Sequence, residues 1–211
     1  MKILVIIIAC FLISCYSCNS GANSTIDKGH KTNTVPKYTV IKTISDHFEI
    51  LLTLYKSNTD SMAYAKKMID SAINLDSTYH KLYADRAQVE IKLNKLDDAI
   101  NDFDKALKLK NDIGGYYSQK GFLLEKEDKI IQAQRCYLEA IDRFDKKLAT
   151  DSLNVGLLMK RAVILMLVKG QQEGINEYEK IVRKFPNDPT VLAKRGDFYN
   201  FDRKKFIESF K

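Results

Sequence analysis

Tryptophan is absent from these 211 residues, and proline occurs three times, cysteine four times and glycine nine times. So few cysteines exclude a disulfide-dense scaffold, and so little glycine and proline excludes the collagenous and low-complexity classes. Long apolar runs are missing too. The run from Ile3 to Ile13 holds eleven residues without a charge, about half of the ~20 that a membrane-crossing helix needs. No G-x-x-x-x-G-K-[ST], G-x-S-x-G or H-E-x-x-H occurs, so a phosphate-cradling loop, a strained nucleophile turn and paired zinc histidines have no candidate. His30, His47 and His80 stand alone, whereas a metal ion needs several converging donors. The chain is therefore expected not to be an enzyme, with no catalytic residue, no cofactor and no metal.

What is present begins with the features of export. Lys2, the short apolar run and then small polar residues match a secretory signal peptide. Leu12-Ile13-Ser14-Cys15 resembles the bacterial lipobox, an aliphatic residue two before a small one and then cysteine. The resemblance implies that 1–14 is a lipoprotein signal peptide and that Cys15 becomes a lipidated N-terminus, palmitate being one such acyl chain. Two or more acyl chains hold a soluble domain at a membrane where one is marginal. Cys18 is the rival acceptor, behind the poorer lead-in Cys15-Tyr16-Ser17, and an ordinary cleaved signal is the other alternative. Residues 15–43, rich in Ser, Asn, Thr, Gly and Lys, read as a flexible tether. Tyr16, where some lipoproteins kept at the inner membrane have Asp, points to the outer membrane, facing the periplasm.

From residue 44 onward apolar residues recur at helical spacing, and the pattern repeats. Ala65, Ala99 and Ala133 stand 34 apart, as do Ile69, Phe103 and Tyr137, and Ala72, Ala106 and Ala140. Beyond residue 140 the step becomes 41 and the markers move together: Gly121 to Ala162, Ala133 to Gly174, Tyr137 to Tyr178. Then 34 returns, from Ala162 to Gly196. Seven added residues are nearly two turns at 3.6 residues per turn, so a helix absorbs them without rotating its apolar face. Ile141, Phe144 and Leu148 extend that face, which predicts a longer second helix in one unit.

This arrangement resembles the tetratricopeptide repeat family, with a large residue at position 4, small ones at 8, 20 and 27, an aromatic at 24 and often Pro at 32. Repeat 80–113 carries Tyr83, Ala87, Ala99, Phe103 and Ala106. Repeat 114–154, with the lengthened second helix, carries Tyr117, Gly121, Ala133, Tyr137 and Ala140. Repeat 155–188 carries Leu158, Ala162, Gly174, Tyr178 and Pro186. Unit 46–79 is degenerate, with Glu49 and Thr53 in its first helix. Unit 189–211 is partial and capping, with Leu192, Gly196 and Tyr199. Its Phe206, Ile207 and Phe210 suit a short amphipathic helix that closes the stack. The resemblance implies an all-α fold over 44–211, a right-handed superhelical stack of antiparallel helix hairpins. Small residues let paired backbones approach, and stacked neighbours bury what one hairpin cannot.

Arg86, Lys120, Arg161 and Arg195 all fall at position 7 of their units. They read either as an anion-binding stripe or as partners of acids on the second helices. Asp102 is matched to Arg86 and Glu177 to Arg161, while Cys136 at the equivalent place leaves Lys120 without a partner. The net charge of +7 is not spread along the repeats. Residues 44–188 hold 23 basic and 23 acidic side chains, and the excess lies in 16–43 and 189–211. A nucleic-acid groove would need its cations along one continuous face, so no nucleic-acid partner is expected.

Members of this family bind partners on the concave face lined by their first helices. The matching positions supply Lys81, Gln88, Ser118, Phe122, Met159, Val163 and Asp197 as candidate binding residues. A strip that is apolar in its middle suits an extended peptide or an amphipathic helix. The expected function is a membrane-tethered scaffold for protein–protein interaction in the bacterial cell envelope. The alternative is a lipoprotein that binds peptidoglycan or anionic lipid through its basic ends.

Overall fold

The computed structural model describes residues 59–210, with Thr39 and Thr43 besides. The signal segment, Cys15, Cys18, the rest of the tether, and Glu49 and Thr53 of the first unit lie outside the described residues. Among the described residues there are ten helices and no strand. They are α1 (Thr59–Leu75), α2 (His80–Lys92), α3 (Leu96–Leu109), α4 (Gly114–Lys126) and α5 (Ile130–Leu148), then α6 (Val155–Lys169), α7 (Gln171–Lys184), α8 (Pro189–Ala193), α9 (Arg195–Tyr199) and α10 (Arg203–Ser209). No helix among the described residues is long and apolar enough to cross a membrane.

The helices pair as α2 with α3, α4 with α5 and α6 with α7, and each pair packs on the next. Second helices bury one face: Ala133, Tyr137, Ala140 and Phe144 on α5 follow steps of four, three and four. First helices lie between their own second helix and that of the preceding pair. That is why α2 buries residues on several sides, from Leu82 and Tyr83 through Ala87 and Val89 to Ile91. The extra length of the middle pair sits in α5, which has 19 residues against 14 in both α3 and α7.

Two of the turns within hairpins are built alike. After α2, Asn94 takes φ 58°, its N–H donates to the Ile91 carbonyl (3.0 Å), and the Lys95 N–H donates to that of Glu90 (2.8 Å). After α4, Asp128 repeats this with φ 58°, its N–H reaching Glu125 and that of Lys129 reaching Leu124. This is the left-handed helix stop that glycine favours and Asn or Asp tolerates.

Small residues set the spacing between paired helices. A Cβ on Gly174 would stand 2.5 Å from the Met166 Cβ and 3.1 Å from its Cα, atoms that cannot swing away. Gly174→Ala is expected to cost about 1–3 kcal/mol in urea unfolding through overpacking. Gly115→Ala, with nothing within 4 Å of the new methyl, is expected to be neutral or stabilising, as the helical preference for Ala over Gly dictates.

The recurring cations are bolts between hairpins. The Arg86 Nε and Nη2 donate to the two Asp102 oxygens at 2.5 and 2.7 Å, and Nη1 donates to Asp70 of α1 at 2.7 Å. Arg161 likewise joins Asp145 of α5 to Glu177 of α7. Lys120 pairs with Asp104 of α3, which corrects the expectation that it stands unpaired: its partner lies in the preceding hairpin. Asp70, Asp104 and Asp145 each precede their cation by sixteen residues. At Arg195 the series changes: Glu179 instead accepts from the Tyr199 hydroxyl, and the Arg195 guanidinium lies 5.4 Å from the Tyr199 ring centre.

Beside the first bolt sits Glu90, buried, with Oε1 3.7 Å from the Lys66 Nζ and Oε2 without a hydrogen-bond partner. Burial, reinforced by the nearby Asp102 charge, pushes its carboxyl up to about 7. In the unfolded chain the value returns to the ordinary 4.5, so the folded state holds the extra proton. The resulting stability is complete below pH 4.5 and is lost as pH rises to about 7. Glu90→Gln is expected to remove that decline and stabilise the protein at pH 8 by roughly 1–3 kcal/mol, as thermal melts between pH 4 and pH 8 would show.

Candidate functional site

The inner face is the side that carries α2, α4 and α6. At its α2–α4 end, the Lys81 ammonium lies 3.2 Å from Asp85, and the Gln88 amide donates to Gln119 across the two helices. Ser118 is buried and donates to the Gly115 carbonyl at 3.0 Å. His80 Nδ1 and the Tyr116 hydroxyl are 3.0 Å apart. Burial lowers the His80 imidazole and raises the Tyr116 phenol from their ordinary values, so both stay neutral near pH 7.

The middle of the face is covered. The chain turns at Asn200–Asp202 and lays α10 against α4. Phe122 meets the edges of two rings, Phe206 at 5.3 Å and Phe210 at 5.0 Å between centres. Ile207 is buried in the same apolar cluster as Phe122, Ile164 and Leu167. Arg203 Nε and Nη2 donate to the two Glu125 oxygens at 2.6 and 3.0 Å, and Nη1 donates to the Leu167 carbonyl of α6 at 2.6 Å. Lys126 donates to the Phe210 carbonyl at 3.1 Å. The amphipathic helix expected to close the end of the stack thus lies across its inside. A gap of 78 residues separates Arg203 from Glu125.

Other expected face residues are dispersed. Met159 is buried in the cluster of α6 and α7, with Val163 half-buried beside it. Asp197 is exposed on α9 and 2.8 Å from the Lys194 ammonium. Among repeat-signature residues, Tyr83, Ala87, Ala99, Phe103, Ala106, Ala133, Tyr137, Ala140, Ala162 and Tyr178 are buried. Tyr117 is half-buried, with the Arg143 guanidinium 5.7 Å from its ring centre. Pro186 is exposed in the turn after α7.

The last unit differs from its expected register. Leu192, Gly196 and Tyr199 are exposed, and Val191 and Phe198 are buried in their stead. Lys194 interrupts the helix between α8 and α9. Phe198 stacks on Tyr178 at 4.5 Å, and the Tyr178 hydroxyl donates to the Val191 carbonyl at 2.9 Å. With a hairpin on one side only, a terminal helix is held by whichever face it presents to that neighbour.

Glu125 is the polar centre of the covered slot. Besides Arg203, it accepts from the Tyr137 hydroxyl at 2.7 Å. Tyr137 lies under Gly121, and a Cβ there would stand in its ring. Sequence reasoning missed Arg203 and Glu125 as a pair, because no local signal joins residues so far apart. Cys136 is partly buried, and burial raises its thiol above the ordinary value, so it is a poor nucleophile. Among the described residues no three His, Cys, Asp or Glu side chains gather in a way that could hold a metal ion.

No family model matches the sequence, and no curated protein matches it. Solved structures do. PilF of Pseudomonas aeruginosa aligns over 81% of this chain and 72% of its own, with a TM-score of 0.56 and 17% identity. A tetratricopeptide repeat protein of Parabacteroides merdae aligns over 81% of this chain and 61% of its own, with a TM-score of 0.55 and 18% identity. At such identities the likeness speaks of the fold, and with the paired helices above it establishes that this chain has an all-α tetratricopeptide-type stack of helix hairpins.

Proposed function

We propose that the chain is a membrane-tethered scaffold that binds a partner protein on its inner face in the bacterial cell envelope. The observation that carries this reading is the slot between α4 and α6, which grips an amphipathic helix through aromatic contact and one charge pair. The balance of 23 basic and 23 acidic residues over 44–188 leaves shape and apolar contact as the main attraction. Leu12-Ile13-Ser14-Cys15 supplies the tether in this proposal. Its location is the outer membrane, facing the periplasm.

Crosslinking the tagged mature protein in intact cells and recovering its complexes tests the scaffold role. Val163→Asp and Gln88→Arg are expected to reduce a specific partner's recovery tenfold or more, compared at equal amounts of protein that melts in one cooperative transition. Recovery by both variants at the level of the unaltered chain, or no partner at all, would count against the reading. For the anchor, Cys15→Ala is expected to abolish incorporation of an alkyne-bearing palmitate and to shift the protein into the soluble fraction. Label retained by Cys15→Ala and lost by Cys18→Ala moves the anchor to Cys18.

A second reading, binding to anionic lipid or peptidoglycan, rests on the exposed Lys204 and Lys205. Arg203 is already committed to Glu125, which weakens it. Co-sedimentation with anionic vesicles and with purified peptidoglycan, lost on neutralising the two lysines, would favour it.

A further inference from the structure

We infer that α10 is a built-in occupant of the partner's slot, and that the partner it yields to presents the same chemistry. That chemistry is a short amphipathic helix with a cation followed three and seven positions later by aromatic residues. The inference rests on the scaffold reading and deepens it.

The slot has features specific to such a ligand. Glu125 and the Leu167 carbonyl, near the C-terminal end of α6, together receive one guanidinium with three donated hydrogen bonds. Carbonyls in the last turn of a helix carry partial negative charge, so this end of the slot selects a cation. Arg203 presents a planar fork, which suits a carboxylate better than a lysine would. One helical turn further on, Phe122 makes edge-type contacts with Phe206 on α10 and with Phe210, which follows its last turn in extended conformation. Lys126 then takes a carbonyl at the far end of the segment.

The occupant is held in a way that permits exchange. With seven residues, α10 is far shorter than the ~12–15 needed for a helix to persist alone in water. Its order therefore depends on the slot. The other face of α10 is solvent-facing, with Lys204 and Lys205 side chains 85% and 83% exposed. An outside helix with the same three anchors and an apolar residue at the place of buried Ile207 can replace the side-chain contacts and continue past the length of α10. Its apparent affinity falls in proportion to the fraction of molecules with the slot open, so weakening α10 must strengthen binding in trans.

A fluorescein-labelled peptide of residues 200–211 is the probe, titrated by anisotropy against the full mature chain. Arg203→Glu combined with Phe206→Ser opens the slot and is expected to bind the peptide at least tenfold tighter than the unaltered chain. Adding Glu125→Arg is expected to abolish that gain, as is a peptide carrying Arg203→Glu. If the double variant fails to melt in one cooperative transition, Phe210→Ser alone is used, with a smaller gain of severalfold. Equal binding by opened and unaltered chains, or none by either, overturns the inference. So does a dimer in sedimentation that exchanges the segment between copies. An envelope partner captured equally by opened and unaltered chains leaves the scaffold standing and removes α10 as its competitor. Peptide binding to the opened chain with no envelope partner recovered keeps the slot's chemistry and removes the scaffold.

Discussion

Replacing Arg86 with alanine is expected to destabilise the stack by about 3–5 kcal/mol, the cost of stripping a buried carboxylate of its partner. Asp102 has a side chain only 3% exposed, and both of its oxygens are taken by the guanidinium. Lys105, 3.5 Å away and more than half exposed, cannot replace a bidentate contact. The buried Glu90 next to this pair already lacks a partner for one oxygen, so the variant gathers two buried acids with less positive charge. Arg86 also joins α3 to Asp70 on α1, and its loss loosens the first hairpin from the helix before it. A domain of this size loses roughly 2–4 °C for each kcal/mol, so the melting temperature is expected to fall by about 6–20 °C. Arg86→Met with Asp102→Leu is the informative comparison. Removing both charges strands neither, and the double variant is expected to be more stable than Arg86→Ala alone. The reverse order would mean that the guanidinium acts through packing of its stem.

The same bolt shows how far a sequence reading reaches. Pairing within a repeat was legible, because Arg86 and Asp102, and Arg161 and Glu177, stand sixteen residues apart. Pairing backward by sixteen, to Asp70, Asp104 and Asp145, has an equally regular spacing. A pairing rule confined to one repeat does not reach it, because a first helix touches both its own second helix and the preceding one. Small residues such as Ala87, Ala99 and Ala140 were legible because close helix contact admits little else, and they recur wherever the contact recurs. At the C-terminal end that constraint lapses. Among the described residues α8 and α9 pack mainly on α7 and on each other, and the register moves to Val191 and Phe198. The amphipathic spacing of Phe206, Ile207 and Phe210 foretold an apolar face. Which surface it would meet depended on a three-dimensional match to Phe122 and Glu125, and no repeat period encodes that.

Tyr137 joins the core to the slot, and Tyr137→Ala is expected to cost about 3–5 kcal/mol, as large aromatic truncations in cores do. The ring is fully buried between Gly121 and Phe122, 5.8 Å from the latter's centre. Its hydroxyl donates to Glu125 at 2.7 Å, on the oxygen that also receives Arg203 Nη2. Burial, together with that bond to Glu125, raises the phenol above its ordinary value, which favours the protonated, donating form. The alanine variant loses packing and orientation at once, and stability alone does not separate them. Tyr137→Phe does. It keeps the ring under Gly121 and is expected to cost only about 1 kcal/mol, the ordinary worth of one hydrogen bond. Its effect on α10 is expected to be larger than that figure suggests, because Glu125 can then rotate away from Arg203. Limited trypsin cleavage after Lys204 or Lys205 should speed up severalfold in Tyr137→Phe, while hydrogen exchange in α3 stays unchanged. Cleavage at the unaltered rate would mean that Phe122 and the Leu167 carbonyl hold α10 without help from the core. Faster exchange throughout α3 would mean that the hydroxyl supports the whole stack, and that α10 responds only to its general loosening.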